Sequence, residues 1–176
     1  MRRRLIPALI AALAAVVVAL VLDRGEDPAA IDARVVRVVD GDTIVVSTRR
    51  DRAYEQSVRL LGIDTPETRR PGTPVECGGP EATANLERLA PPGTPVTLEP
   101  DPSQDRVDRF GRLAYVRLPD GQLAEEAQLG AGWASVYVYG GRPVAREPAF
   151  LRAQADARSA RRGVWGRCGG SFHSAS

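Results

Sequence analysis

The sequence predicts an α+β, mainly β fold: a small five-stranded barrel with about three helices. Five short strand-like runs, at Ala33–Val39, Thr43–Thr48, Gln56–Ile63, Pro95–Glu99 and Leu113–Leu118, are separated by turns and loops. The first two are joined through Asp40-Gly41-Asp42, and an Asp-Gly pair between β-branched runs is a strong hairpin signal. Helical stretches fall between and after these strands, which suits a barrel better than an open parallel sheet.

Taken in order, Met1-Arg2-Arg3-Arg4 precedes Leu5–Leu22, an uncharged run of 18 residues. As a helix it would rise roughly 27 Å, near the lower limit for crossing a bilayer. The arginines should remain cytoplasmic and send the rest of the chain across. No A-x-A pattern follows the apolar run, where Asp23-Arg24-Gly25-Glu26-Asp27 comes directly, so an uncleaved signal anchor is favoured over a cleaved signal peptide. Residues 1–22 are thus read as a leader, 23–32 as a polar linker, 33–168 as the folded domain and 169–176 as a flexible tail.

After the first hairpin comes a charged turn at Arg49–Arg52 and the strand Gln56–Ile63. Pro66 stops regular pairing, and residues 66–79, rich in Pro and Gly, form a loop carrying Cys77. A helix starts at Pro80, a residue favoured at the first helical position, with Leu86 and Leu89 facing inward. Pro91-Pro92-Gly93 ends it. Beyond the strand Pro95–Glu99, Asp101–Arg112 is too charged for a core and reads as a loop. Leu113–Leu118 is the fifth strand, Leu123–Leu129 a short helix stopped by Gly130 and Gly132, Ala134–Tyr139 an extended piece and Pro148–Arg162 an amphipathic helix. Trp165 is expected to pack back onto the core. A five-stranded, partly open Greek-key barrel of this kind is the OB-fold.

All 24 basic residues are arginine, against 22 acidic ones, for a net charge of +2. Setting aside Arg2, Arg3 and Arg4 leaves 21 basic against 22 acidic residues, so nucleic-acid binding cannot be inferred from overall charge and must use a local patch. Cys77 and Cys168 are the only cysteines, and an exported domain would oxidise them to a disulfide. With no further Cys or His cluster nearby, no zinc site is expected. His173, the one histidine, is read as solvated.

The chemistry-bearing residues gather at turns. Asp42 closes the first hairpin and Asp64 ends the third strand; two carboxylates with a carbonyl such as that of Thr65 supply half a calcium shell, which wants several hard oxygens. Asp40 and Thr43 flank this set as supports. Arg59 lies five residues before Asp64, and Arg112 stands at the mouth of the fifth strand. Guanidinium forks match phosphate oxygens and remain charged at any working pH. Glu67 is then the base, or the water-positioning group, for hydrolytic attack.

Val39-Asp40-Gly41-Asp42-Thr43, the run Arg59 to Glu67, Gly79-Pro80-Glu81-Ala82 and Asp108-Arg109-Phe110-Gly111-Arg112-Leu113-Ala114-Tyr115 together resemble the thermonuclease (staphylococcal nuclease) family, in its order and at similar spacing. The resemblance covers roughly Ala33 to Trp165. It implies a calcium-dependent, monomeric OB-fold nuclease that cleaves DNA or RNA to leave 3′-phosphate ends. By position it assigns Asp42, Asp64 and the Thr65 carbonyl to calcium, Arg59 and Arg112 to phosphate, and Glu67 to the base. Arg109 stands where the family has a lysine near substrate phosphate, and Tyr137 and Tyr139 match the aromatic pair lining the nucleotide pocket. Phe110 departs from the family, replacing a tyrosine whose hydroxyl would meet a phosphate. With the leader, this implies an extracytoplasmic enzyme, held to the membrane through residues 5–22 or secreted if cut. The competing expectation is a catalytically silent OB-fold module that binds nucleic acid or protein; the presence of both arginines, both aspartates and the glutamate favours the enzyme.

Overall fold

The computed structural model describes residues 30–48, 54–68, 72, 74–109 and 111–173. The expected leader, most of the linker, the Arg49–Arg52 turn and Phe110 lie outside these residues.

β1 (Ile31–Asp40) pairs antiparallel with β2 (Thr43–Thr48) around the Gly41–Asp42 turn, and β2 pairs antiparallel with β3 (Glu55–Leu60). Register shifts between Val35 and Arg37, and between Val38 and Asp40, mark bulges in β1. They break strict alternation, so that Val35 and Val38 are both buried although a spacing of three positions in the chain would put them on opposite faces. On its other side β1 pairs with β5 (Pro95–Glu99), and β5 with β7 (Gly111–Arg117), both antiparallel. β7 then pairs parallel with β3, aligning Val58 with Arg112. The ring β1-β2-β3-β7-β5 is thereby closed, giving the five-stranded OB-fold barrel that the sequence predicts.

Ile44, Val46, Val58, Leu60, Leu98 and Val116 fill the barrel and are at most 1 % exposed. Among the described residues there are four helices: α1 (Gly79–Leu89), α2 (Ala124–Ala131), α3 (Glu147–Ser159) and α4 (Val164–Arg167). Leu86 of α1, Leu129 of α2 and Phe150 of α3 are fully buried and join the same core.

Several boundaries differ from the sequence reading. β1 begins at Ile31, inside the expected linker, because Ile31 and Asp32 find partners in Leu98 and Thr97 of β5. The expected strand Gln56–Ile63 is two elements. Gly62 takes a left-handed φ of +74°, and a Cβ there would stand 2.6 Å from Val144 Cγ2. The chain therefore turns at Leu61–Gly62, and β4 (Ile63–Asp64) leaves the barrel to pair with β8 (Ser135–Val136). Only those two residues of the expected extended piece Ala134–Tyr139 are strand. The expected loop Asp101–Arg112 ends in a hairpin, since Val107–Asp108 (β6) folds back on Gly111 and Arg112. The tail is not free through residue 173. Phe172 is 7 % exposed, and its ring meets that of Trp165 edge-on at 5.0 Å between centroids. A Cys77–Cys168 disulfide, with Cα atoms 6.0 Å apart, fastens the base of this segment to the loop before α1.

Candidate active site

Asp42 is built into the first hairpin by its backbone as well as its side chain. Its N–H donates to Asp40 Oδ1 at 3.2 Å, and its carbonyl accepts the Leu60 N–H at 2.8 Å. Asp40 thus shapes the turn directly. The preceding Gly41 is a close-approach position: a Cβ would lie 2.7 Å from both Ala82 Cβ and Thr65 Oγ1. Its carbonyl accepts from Gln128 Nε2 at 2.5 Å, and the same amide donates to the Ala82 carbonyl at 2.9 Å while Gln128 Oε1 accepts from Asn85. Gln128 is fully buried on α2 and pins the turn to α1. It was not among the residues singled out from sequence, although a glutamine on the apolar face of a short helix is a signal that could have found it.

The Asp42 carboxylate is 3 % exposed and is held on both oxygens. Oδ1 accepts from Thr43 Oγ1 at 2.8 Å and Oδ2 from the Thr65 N–H at 3.3 Å. Register places Thr43 opposite Arg59 on β3. From there Arg59 Nη2 reaches Asp42 Oδ2 at 3.1 Å and Asp64 Oδ1 at 2.8 Å, so one guanidinium nitrogen serves two carboxylates. Burial pushes the Asp42 carboxyl up to about 7. Arg59 opposes that rise, and the Asp40 and Asp64 charges add to it. Negative charge is therefore under-compensated at this corner.

Among the described residues no group of three or more His, Cys, Asp or Glu side chains forms a metal cage. What the corner offers is two carboxylates beside backbone and hydroxyl oxygens, with a buried charge that one arginine does not fully offset. That donor set fits a hard, oxygen-seeking cation that takes the rest of its shell from water and substrate.

Beyond Asp64 the chain runs through Thr65 and Pro66, both buried, to Glu67. The backbone at Glu67 is clamped by Glu76: the Glu67 N–H donates to Glu76 Oε2 at 2.6 Å, and its carbonyl accepts the Glu76 N–H at 2.9 Å. Glu76 is itself 7 % exposed. His173 then bridges this clamp to Asp64, with Nδ1 3.2 Å from Glu76 Oε2 and Nε2 3.3 Å from Asp64 Oδ2. Its side chain is 60 % exposed, as a solvated residue would be, yet it sits on two carboxylates of the corner and is not an idle tail residue. Neither Glu76 nor this role of His173 is visible in local pattern. The only sequence hint is that Cys77 follows Glu76 and Cys168 lies five residues before His173.

Arg112 occupies the rung of β7 beside Val58, next to Arg59, and its Nε donates to Gln56 Oε1 at 3.1 Å. Arg59 thus spends its Nη2 on the aspartates, whereas Arg112 is positioned from β3 through Gln56. Arg109 is exposed at the β6–β7 turn. Tyr137 and Tyr139 are 44 % and 66 % exposed, so they are surface aromatics and not core ones. The Tyr137 N–H donates to the Gly62 carbonyl at 2.9 Å, which ties that stretch to the turn preceding Asp64.

A family model described as staphylococcal nuclease homologue matches residues 57–167, more than half of the chain. The chain belongs to that family. A thermonuclease of Staphylococcus hyicus is 37 % identical over 135 residues, covering 75 % of this chain and 74 % of that protein. The SPbeta prophage-derived endonuclease YokF of Bacillus subtilis (strain 168) is 36 % identical over 147 residues, 79 % of this chain and 45 % of its own length. A thermonuclease of Staphylococcus intermedius is 44 % identical over 85 residues, covering 48 % of this chain and 47 % of that protein. The chain therefore spans about half the length of the last two. The family match begins at Ser57, downstream of the first hairpin, so the placement of Asp42 beside Arg59 and Asp64 rests on the geometry above.

Proposed function

We propose that this member of the nuclease family is an exported hydrolase that cuts DNA or RNA with the help of a calcium ion held at Asp42 and Asp64, leaving 3′-phosphate ends. The observation that carries the reading is the sharing of one Arg59 nitrogen between Asp42 and Asp64 at 3.1 and 2.8 Å, which sets two acidic groups and a phosphate-matching guanidinium at one corner of the barrel. The Thr65 carbonyl would complete the protein's share of the cation shell, with Asp40 and Thr43 holding Asp42 in place. Calcium, when bound, supplies charge neutralisation for a phosphodiester.

The remaining work falls to the chain's own groups. Arg59 and Arg112 match phosphate oxygens and stabilise the charge that grows on them as water attacks phosphorus. Glu67 takes the proton of that water as its oxygen bonds to phosphorus, and the bond from phosphorus to the 5′ oxygen breaks, that oxygen leaving as a hydroxyl with a proton from solvent. Arg109 adds a cationic contact for the strand, and Tyr137 with Tyr139 offers exposed rings on which a base stacks. The enzyme acts as a monomer outside the cytoplasm, anchored by residues 5–22. The Cys77–Cys168 disulfide supports an oxidising compartment. Membrane fractionation with mass spectrometry of the N-terminus tests the anchor; a soluble form starting beyond Leu22 would show cleavage.

The function is tested by incubating the protein with single-stranded DNA, with calcium and with chelator. Hydrolysis should require calcium, and magnesium should support less, because it demands stricter geometry and sheds water reluctantly. Full activity after exhaustive chelation would overturn the cation site.

A further inference from the structure

The segment behind α4 has a fixed path. The Cys77–Cys168 disulfide anchors its start, and the Gly170 N–H donates to the Val164 carbonyl at 3.1 Å and the Ser171 N–H to the Cys168 carbonyl at 3.2 Å. Phe172 is then buried against Trp165, whose other neighbour is the Arg158 guanidinium, 5.5 Å from its ring centroid. Residues 168–172 are held at both ends, and His173 follows directly. It delivers an imidazole between Asp64 and Glu76.

Those two carboxylates do different things. Asp64 belongs to the aspartate–arginine corner, and Glu76 clamps the peptide of Glu67 by accepting its N–H. One ring nitrogen of His173 faces each. The imidazole is therefore a spacer of fixed length between the corner that would hold the cation and the peptide that carries the base. No other described side chain contacts both Asp64 and Glu76 in this way.

We infer that residues 168–173 form a disulfide-anchored strap that sets the position of Glu67 relative to Asp64, with His173 as the positioning residue at its tip. The consequence for turnover rests on the nuclease reading; the structural coupling does not. The disulfide ties the strap to the loop that carries Glu76 across a sequence separation of 91 residues.

The test uses the full chain in detergent and the variants His173→Ala and His173→Gln. Because the side chain is exposed, His173→Ala should fold as the parent does. Hydrogen exchange read by mass spectrometry in peptides spanning Thr65–Glu67, without calcium, should speed up by about tenfold as the clamp loosens. In calcium, kcat on single-stranded DNA should fall roughly 10–100-fold, the usual cost of losing a group that orients an active-site residue, with KM little changed. His173→Gln, which can still donate and accept at one tip, should recover part of both effects. Reduction of the disulfide in the parent should reproduce the faster exchange. Unchanged exchange in His173→Ala would overturn the strap, even if kcat fell, since His173 would then act directly. Faster exchange with unaltered kcat would overturn the positioning role. A parent without nuclease activity would defeat the functional reading and leave the exchange comparison to decide the strap.

Discussion

Asp42 accepts from Thr43 and Thr65 and touches Arg59, yet burial still lifts its carboxyl to about 7. A carboxylate that three partners cannot fully compensate is a poor structural choice and a good place for a cation. Glu67 is arranged otherwise: its backbone is clamped at both its N–H and its carbonyl by Glu76, which fixes where its side chain starts. Glu67→Gln keeps the shape and removes the carboxylate proposed as the base, so turnover should fall by about 10²–10⁴-fold while DNA binding persists. Single-turnover rates beside a binding titration would check this, and near-parental turnover would remove Glu67 from the mechanism. At this scale the sequence was readable where chemistry is local. Asp40, Asp42, Thr43, Arg59 and Asp64 lie within two turns and the strands that flank them, and the family resemblance of those short stretches, more than their spacing, brings them forward. Glu76 and His173 meet across 97 residues, and no periodicity encodes such a contact.

The elements explain why the corner is where it is. β3 must end at Leu60 so that the next residues can leave the barrel, and Gly62 permits the turn by taking a φ that other residues avoid. The sequence shows Val58, Leu60, Leu61 and Ile63 in one strand-like stretch, and a glycine inside such a stretch is as compatible with a strand as with a break. Only the packing of Val144 against Gly62 decides it. A similar ambiguity hid the hairpin of β6 with β7, because Val107 and Asp108 are exposed and carry no alternating pattern. The hairpin that carries Asp42, by contrast, announces itself through its turn residues. It is also braced from behind by Gln128, whose amide serves Gly41, Ala82 and Asn85 together. Gln128→Leu fits the same space but strands those groups, so it should destabilise by roughly 1–3 kcal/mol per group left unpaired. Denaturant unfolding would measure the loss, and a parental midpoint would show that water replaces the amide.

For the molecule as a whole, pH should report on Glu125. It is fully buried, its carboxyl oxygens accept the Val116 N–H at 3.1 and 3.3 Å, and burial raises it from 4.5 to about 8. The folded state then keeps a proton that the unfolded chain has released, so this group's contribution is whole below about pH 4.5 and is lost as pH climbs towards 8. Glu125→Gln cannot ionise, and its melting temperature relative to the parent should rise steadily across that window. A constant difference would mean that Glu125 ionises as freely as it does unfolded. The closure of the ring has another consequence, for the order in which the protein can be made. β1 to β4 leave the ribosome before β5 and β7, and with them Asp42, Arg59 and Asp64. The parallel partner of β3 is β7, whose contact joins Val58 to Arg112 after α1 and β5 have been synthesised. Until then the outer edge of β3 has no neighbour, and pairings so distant in sequence form slowly. The nascent chain thus carries the candidate-site groups early beside an open edge, and receives the strand that closes the ring only once β7 follows α1 and β5.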